Sequence, residues 1–485
     1  MATKKENNLP LPPIWAALIP IVFLILLLAA GVYLFGSDAA SGASQVALLL
    51  SASLAAAIAV YLGHKWHDIE VAIIEGITVA LKAIIILLAV GALIGTWIVG
   101  GVVPTLIAFG LDLLNPDYFY IASCLICVII SLSTGSSWTT AGTVGVALMG
   151  VASAFGLSPE ITAGAIISGA YFGDKMSPLS DSTNLTAAVA QADLFDHIRN
   201  MVWTTGPGLI IALILYAVLG YGSKPVDTLD LSITIDAINT RFDTSWPMLM
   251  PLLVVLGLAA RRVSPLPALL MGCLLGAVFA IIFQGNVLAH YGESLGGGAF
   301  ASSKAIWTAF FDGYKSDTGN LVVDDLLSRG GMSSMLTTVW LILCAMILGA
   351  VLEHTGMITR LIGSLMASIQ RVGSLIAATV GVCIGTNFVA SDQYIAIVIP
   401  GRMLAPAYDR LGLAPAALSR TLEDSATMTS PLVPWNTCGA YMAATLGVAT
   451  FDYLPFAFLN LAVPMIAIFY GYTGIRIEKK TEEIT

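Results

Sequence analysis

Apolar runs of about twenty residues recur along the whole of this 485-residue chain. The first extends from Ile14 to Phe35, and a typical later one extends from Leu266 to Phe283. An α-helix needs about 20 apolar residues to cross a bilayer, whereas the strands of an outer-membrane barrel show short alternating patterns. The sequence therefore predicts an all-α polytopic membrane protein with about 12 transmembrane segments.

The composition excludes most soluble functions. Hydrophobic residues make up 57% of the chain and charged residues only 11%, whereas soluble domains carry about 25% charged residues. The net charge of -9 and the absence of a basic stripe argue against a nucleic-acid partner. The six cysteines lie in apolar stretches and are expected to be buried free thiols. No H-E-x-x-H sequence, nucleophile elbow or glycine-rich phosphate loop is present, so an enzyme is disfavoured and no cofactor is expected.

Two polar stretches interrupt the apolar sequence of the first half. They are Ser133 to Thr140 and Gly173 to Asn184, with Gly156-Leu157-Ser158-Pro159 between them. Hydroxyl, amide and carboxylate groups are costly in hydrocarbon unless they face each other, a cavity or an ion. Glycine and proline beside them free backbone carbonyls that can bind a cation. These stretches therefore predict a polar site at membrane depth.

The second half repeats this arrangement. Gly156 to Pro159 matches Gly412-Leu413-Ala414-Pro415, and Ser177-Pro178-Leu179 matches Ser430-Pro431-Leu432, with a gap of three residues between the two matches. Interrupted segments in matching positions of two halves point to the binding site of a transporter. An odd number of crossings between equivalent segments would make the two repeats inverted.

The repeat suggests a division of the chain and an orientation. We expect a tail with a first helix (1–43), a first repeat (44–222), a connecting region with polar loops and spans (223–331), a second repeat (332–475) and a C-terminal tail (476–485). Lys4 and Lys5 at one end, and Arg476, Lys479 and Lys480 at the other, favour cytoplasmic termini.

Hard oxygen ligands, which sodium prefers, cluster at the breaks. The candidate ion- or substrate-binding residues are Thr134, Gly135, Ser136, Ser137, Thr183 and Asn184 in the first half, and Asn387, Ser391, Thr429, Asn436 and Thr437 in the second. A sodium site is expected at Thr134, Ser137, Asp181, Asn184 and Asn436.

Coupling to protons needs carboxyl groups that burial brings toward neutral pH. The candidates are Asp174, Asp181, Asp392, Glu423 and Asp424. Asp181 and Asp392 are preferred, because each lies inside a break. Asp174 has the alternative of an ion pair with Lys175, and Glu423 and Asp424 have that of a salt bridge with Arg420. Arg402 is expected either to balance Asp392 or to bind a substrate carboxylate.

Several motifs resemble the NhaC family of Na⁺/H⁺ antiporters, within the ion transporter superfamily. In the first half they are Gly91-Ala92-Leu93-Ile94-Gly95-Thr96-Trp97, Thr134-Gly135-Ser136-Ser137-Trp138 and the segment from Gly169 to Asp181. In the second half they are Ser419 to Asp424 and Ser430 to Thr437. Gly91 and Gly95, four residues apart, are also expected to permit close helix packing.

This resemblance implies sodium/proton antiport in the inner membrane of a prokaryote. Some members of the family look like exchangers of small carboxylates coupled to Na⁺ and H⁺, so a small carboxylate or amino acid is the alternative substrate. The superfamily implies inverted repeats with re-entrant hairpins, an elevator-like step and a homodimer. A channel is the less favoured class, because two halves with carboxylates at their breaks suit alternating access better than a continuous pore.

Overall fold

The chain forms a helical bundle in a computed structural model that describes residues 10–35, 42–221, 228–366 and 369–480. Within these ranges the β-type pairing is one isolated bridge between Leu413 and Lys479. Eight of the described helices are long and apolar enough to cross a membrane, or up to ten if two bent pairs each count as one span. The total of about 12 stays a prediction, since the segments interrupted at the polar breaks consist of shorter helices.

The first half contains ten helices among the described residues. They are α1 (Ile14–Phe35), α2 (Ala43–Tyr61), α3 (Trp66–Val99), α4 (Val102–Leu113), α5 (Phe119–Thr134), α6 (Ser137–Thr140), α7 (Val146–Ala154), α8 (Pro159–Met176), α9 (Asp181–Ala190) and α10 (Leu194–Gly220). A π-helical turn, Ala141–Gly145, joins α6 to α7 without a break.

The connecting region and the second half follow. The connecting helices are α11 (Thr228–Arg241), α12 (Met250–Ala260), α13 (Pro265–Phe283), α14 (Gly285–Ser294), α15 (Ala301–Phe311) and α16 (Leu321–Leu327). The second half comprises α17 (Leu336–His354), α18 (Met357–Met366), α19 (Val372–Ala390), α20 (Gln393–Arg410), α21 (Pro415–Leu422), α22 (Thr437–Leu446), α23 (Thr450–Tyr453) and α24 (Phe458–Thr473). Lys4 and Lys5 lie outside the described residues.

Two expectations about helices need correction. The polar sequence from His64 to Glu70 predicts a helix at the membrane interface, before a separate span from Ile84 to Val99, but α3 is one helix of 34 residues. Lys82 lies within this helix, and its ammonium group pairs with Asp181 at 3.4 Å. The polar stretch from Ser223 to Ser245 was expected to be a loop, but it contains α11, whose sequence has no proline or glycine to stop a helix.

The outer surface of the bundle is apolar. On α10, Ile210, Ile214 and Val218 are 57–66% exposed, and α13 exposes Leu274 and Ile281 to a similar degree. Soluble proteins rarely expose apolar patches of this extent, so these faces contact lipid. The protein is therefore a multi-pass membrane protein.

Small residues allow α3 to lie against its neighbours. A Cβ atom added to Gly91 would lie 2.4 Å from the carbonyl oxygen of Gly331, and one added to Gly95 would lie 2.1 Å from that of Ala309. No side chain fits at such distances, so the predicted packing role of Gly91 and Gly95 is confirmed. The six cysteines are free and buried, as the sequence predicted.

The C-terminal segment is tied to the bundle by main-chain and side-chain contacts. The amide of Ala414 donates to the carbonyl oxygen of Glu478 (3.0 Å), and the amide of Lys480 donates to that of Gly412 (2.9 Å). Lys480 also forms an ion pair with Asp409 at 2.9 Å. The segment that follows α24 is thus fixed to the turn between α20 and α21.

Candidate functional site

The first break of each half has the same construction. α5 ends at Gly135 (φ 67°) and α19 ends at Ser391 (φ 60°), both in the left-handed region. Glycine adopts this conformation at little cost, whereas a serine there is uncommon. In each half the next residue caps the following helix: the Ser136 hydroxyl accepts a hydrogen bond from the amide of Thr139, and the Asp392 carboxylate accepts from Tyr394.

A proline marks the second break of each half. α8 ends before Pro178, and α9 begins after Ser180. In the second half Pro431 lies in a 3₁₀ turn, and α22 begins after Asn436. Proline lacks an amide hydrogen and cannot continue the hydrogen-bond ladder of a helix, so the chain turns at both positions. The break positions thus recur in both halves, while the inverted relation of the halves stays a prediction.

Side chains from both halves border one cavity of about 470 Å³. Nine of the predicted residues line it: Thr134, Gly135, Ser136, Ser137, Asp174, Asp181, Asn184, Asp392 and Thr437. Eight do not: Thr183, Asn387, Ser391, Arg402, Glu423, Asp424, Thr429 and Asn436. Lys82 of α3 and Arg262 of the turn between α12 and α13 complete the charged lining.

Asp174 connects the two breaks of the first half. Its carboxylate accepts hydrogen bonds from the hydroxyl of Ser137 (2.6 Å) and from that of Ser180 (2.5 Å). Ser137 belongs to the first break and Ser180 to the second. Thr183, although outside the lining, donates to the backbone carbonyl of Asp174 at 3.1 Å. One carboxylate and two hydroxyls thus meet at a point where three segments of chain converge.

The two carboxylates preferred on sequence grounds have different surroundings. The side chain of Asp181 is 68% exposed at the mouth of the cavity, 3.4 Å from the ammonium group of Lys82. Asp392 is buried, and one of its oxygens accepts hydrogen bonds from the amides of Tyr394 (2.9 Å) and Ile395 (3.1 Å). Asp181 therefore contributes charge to the mouth of the cavity, whereas Asp392 is partly occupied in capping α20.

A buried ionic cluster lies behind the cavity. Lys175 pairs with Asp424, and both side chains are fully buried. The alternative of an Asp174–Lys175 ion pair is therefore wrong, since the ammonium group points away from its sequence neighbour to α10 and the second half. Thr204 donates to the same carboxylate at 2.9 Å, and the guanidinium of Arg420 lies 4.0 Å from it. The expected salt bridge of Arg420 thus involves Asp424.

Glu423 connects the cavity wall to the second half. Its carboxylate accepts hydrogen bonds from Ser182 (2.9 Å), which lines the cavity, and from Thr186. Arg420, one helical turn earlier, donates to the amide oxygen of Asn200 at 2.7 Å and to the carbonyl oxygen of Arg476. Ser182 and Thr186 of the first half thus hold Glu423 of the second half beside the cavity.

The amides of the second half hold each other in place. Asn436 donates to the amide oxygen of Asn387 at 3.1 Å, and Asn387 donates to the hydroxyl of Thr429 at 3.0 Å. Asn436 does not reach the cavity, so the structure brings four of the five predicted sodium ligands together and not the fifth. Arg402 is exposed outside the cavity, away from Asp392.

Sequence reasoning missed some of the residues that line the cavity. Ser180 and Ser182 lie inside the second break and could have been included with Asp181, because they share its polar stretch. Lys82 and Arg262 gave no local signal, since each reaches the cavity only through the packing of distant helices. Among the described residues, no group of three or more His, Cys, Asp and Glu side chains is placed to hold a metal ion.

A membrane bundle whose two halves are broken around one polar cavity is typical of secondary transporters. The chain belongs to the Na⁺/H⁺ antiporter family, whose profile matches residues 169–475. It is therefore a transporter and not an enzyme.

Three relatives match this chain over most of their length. The Na⁺/H⁺ antiporter NhaC of Alkalihalophilus pseudofirmus is 41% identical, covering 90% of this chain and 91% of that protein. The malate-2H⁺/Na⁺-lactate antiporter of Bacillus subtilis is 38% identical, covering 89% of each. The arginine/ornithine antiporter ArcD of Halobacterium salinarum is 34% identical, covering 97% of this chain and 94% of that protein.

Proposed function

We propose that this protein exchanges Na⁺ for H⁺ by alternating access at the cavity between the two halves. The observation that carries the proposal is the position of Asp174, whose carboxylate lies within hydrogen-bond distance of Ser137 and Ser180 in a cavity at membrane depth. Membership of the Na⁺/H⁺ antiporter family supports the same activity. In this proposal Na⁺ and H⁺ are the transported substrates.

The chemistry of exchange follows from competition at one carboxylate. Sodium takes oxygen ligands, and a carboxylate with two serine hydroxyls supplies three of them. Each hydroxyl has lone pairs as well as a proton, so it can turn its oxygen toward a bound cation. Protonation of Asp174 removes the negative charge that holds Na⁺. Binding of either ion therefore excludes the other, and the site changes the face to which it is open while it is loaded with one or the other.

Transport of purified protein in liposomes tests this proposal. A pH-sensitive dye is enclosed in the vesicles, and NaCl is added outside. We expect the lumen to become alkaline on addition of NaCl, because entering Na⁺ drives protons out. Choline chloride at the same concentration and protein-free vesicles serve as controls. Equal responses to NaCl and choline chloride would exclude sodium-coupled exchange.

A second candidate function is Na⁺- and H⁺-coupled exchange of a small carboxylate or amino acid. Two cationic side chains, Lys82 and Arg262, border the same cavity as the acidic residues. A guanidinium group binds a carboxylate through two parallel hydrogen bonds. The relatives named for malate, lactate, arginine and ornithine make these the substrates to test first.

Counterflow measurements separate this candidate from simple ion exchange. Vesicles loaded with unlabelled lactate, malate or arginine are diluted into the labelled compound, with and without Na⁺. If the second candidate holds, we expect labelled substrate to accumulate in a sodium-dependent way, and Arg262→Gln to reduce carboxylate uptake about tenfold or more, the loss of one charge-assisted contact. Absence of counterflow for all three compounds, together with sodium-driven proton movement, would leave ion exchange alone.

The distribution of basic residues bears on orientation. Lys65 precedes α3 at the end nearer the cavity, and Arg262 borders the cavity. Arg410 ends α20, whose first residue, Gln393, lines the same cavity. Lys479 and Lys480 join the turn after α20. By the positive-inside rule we infer that this end faces the cytoplasm of a prokaryotic cell, with the C-terminus. The elevator-like step and the homodimer remain part of the proposal.

A further inference from the structure

A second cavity lies farther along the same helices. Its volume is about 390 Å³, and its lining includes Ile94, Met149, Tyr314, Arg329 and Thr445. It is bordered by the segment between α15 and α17 that precedes the second half. It shares no lining residue with the first cavity.

Three helical segments border both cavities. α3 contributes Ile86 to the first cavity and Ile94 to the second. The segment from α6 to α7 contributes Thr139 and then Val146, and α22 contributes Cys438 and then Thr445. Each pair is separated by seven or eight positions in the sequence, which corresponds to roughly 10–12 Å along a helix. The agreement of the three segments places the two cavities one above the other along the axes of these helices.

One aromatic layer lies between the cavities. The rings of Trp138 and Tyr441 are stacked, with centroids 4.1 Å apart and an interplanar angle of 11°. The hydroxyl of Tyr441 donates to the backbone carbonyl of Trp138 at 2.8 Å. A Cβ atom added to Gly142 would lie 2.7 Å from this hydroxyl and 3.2 Å from Val90 of α3. Tyr441 and Val90 are fully buried, so this side of the layer is closely packed.

Polar and charged side chains line the second cavity, and not all of the charged ones form an ion pair among the described residues. Thr445 is only 5% exposed, and its hydroxyl lies one helical turn beyond Tyr441. Arg329 forms no described ion pair, whereas Lys315 and Asp312 pair with each other at 3.7 Å. Charges of both signs and a hydroxyl in the lining suit a hydrated passage.

We infer that the second cavity is the access route to the same ion site from the opposite face of the membrane, and that the Trp138–Tyr441 stack is the barrier closed in this conformation. This inference rests on the proposed alternating access. It identifies the passage taken by hydrated Na⁺ and by protons, and it assigns the barrier to one residue from each half. The proposed elevator-like step would then have to separate these two rings to open the site toward the opposite face.

Thiol labelling in oriented vesicles tests the inference. Cys438 lines the first cavity and is replaced by serine in every variant; the other native cysteines do not line either cavity. A single cysteine is then introduced by Asn184→Cys in the first cavity or by Thr445→Cys in the second. A charged, membrane-impermeant thiol reagent is added to right-side-out or inside-out vesicles. We expect the two variants to react from opposite faces; reaction of both from the same face, or of Thr445→Cys from neither face, would overturn the inference.

The barrier has its own matched pair of variants. In the Thr445→Cys background, Tyr441→Ala is expected to raise labelling from the face of the first cavity at least about tenfold, because the stacked ring is gone. Tyr441→Phe keeps the ring and loses only the hydroxyl, so labelling should stay near that of the parent. An unchanged labelling rate in Tyr441→Ala would refute the barrier. The control for an intact fold is Tyr441→Ala combined with Asn184→Cys in place of Thr445→Cys, which should still react from the face of the first cavity.

The labelling experiment and the transport experiment test the two proposals independently. The reagent reports access to the two cavities whether or not Na⁺ is carried. If the two variants react from opposite faces in a protein that moves no protons on addition of Na⁺, the proposed Na⁺/H⁺ exchange is wrong and the two-sided passage is supported. If both variants react from the same face in a protein that exchanges Na⁺ for H⁺, the exchange is supported and the two-sided passage is wrong.

Discussion

Asp174→Asn is expected to abolish sodium-driven proton release from liposomes. Asparagine keeps the size and one oxygen of the side chain but loses both the charge that holds Na⁺ and the group that carries the proton. Loss of an ionic contact worth about 3 kcal/mol corresponds to about a 100-fold weaker interaction. The measurement is the initial rate of lumenal pH change over a range of NaCl concentrations.

Asp181→Asn provides the matched comparison. Asp181 borders the same cavity but is largely exposed and paired with Lys82. Exposed pairs contribute about 0–1 kcal/mol, so the apparent Na⁺ affinity should fall by at most a few fold. Abolished exchange in Asp181→Asn with retained exchange in Asp174→Asn would reverse the assignment and favour the carboxylate preferred on sequence grounds.

Asp424→Asn is expected to destabilise the protein strongly. It would leave Lys175 and Arg420 buried without a carboxylate between them. Breaking a buried ion pair by removing one partner costs about 3–5 kcal/mol. The unfolding temperature in detergent, followed by tryptophan fluorescence, should fall clearly below that of the unmodified protein.

Lys175→Met should be the milder change of the two. Asp424 would keep Arg420 at 4.0 Å and the hydroxyl of Thr204 at 2.9 Å, and the methionine side chain fills much of the space of lysine. A double variant, Lys175→Met with Asp424→Leu, should recover part of the loss, because no buried charge of this pair remains. Equal unfolding temperatures for Asp424→Asn and the unmodified protein would show that the cluster does not stabilise the fold.

The fold class and the positions of the breaks were predictable because they depend on local chemistry. Apolar runs identify helices, and Pro178 and Pro431 mark the places where helices cannot continue. The matching of Gly135 with Ser391 was harder to see. Only the backbone conformation shows that a serine performs in the second half what a glycine performs in the first.

The candidate site was predictable as a group and less so residue by residue. Asp174 was included among the carboxylates but ranked below Asp181, because its neighbour Lys175 looked like its partner. The orientation of Lys175 toward Asp424, 249 positions away, depends on the packing of the two halves. Lys82 and Arg262 enter the cavity for the same reason, and no spacing in the sequence encodes them.

The contacts of the C-terminal segment connect the surface of the protein to its buried ionic cluster. Glu478 accepts a hydrogen bond from Asn200, and Asn200 accepts one from Arg420, which approaches Asp424. A fluorophore or spin label on Lys480 would lie two residues from Glu478, which connects through Asn200 to Arg420 of the buried ionic cluster. Its mobility would report on rearrangements of the broken helices without a probe inside the cavity itself.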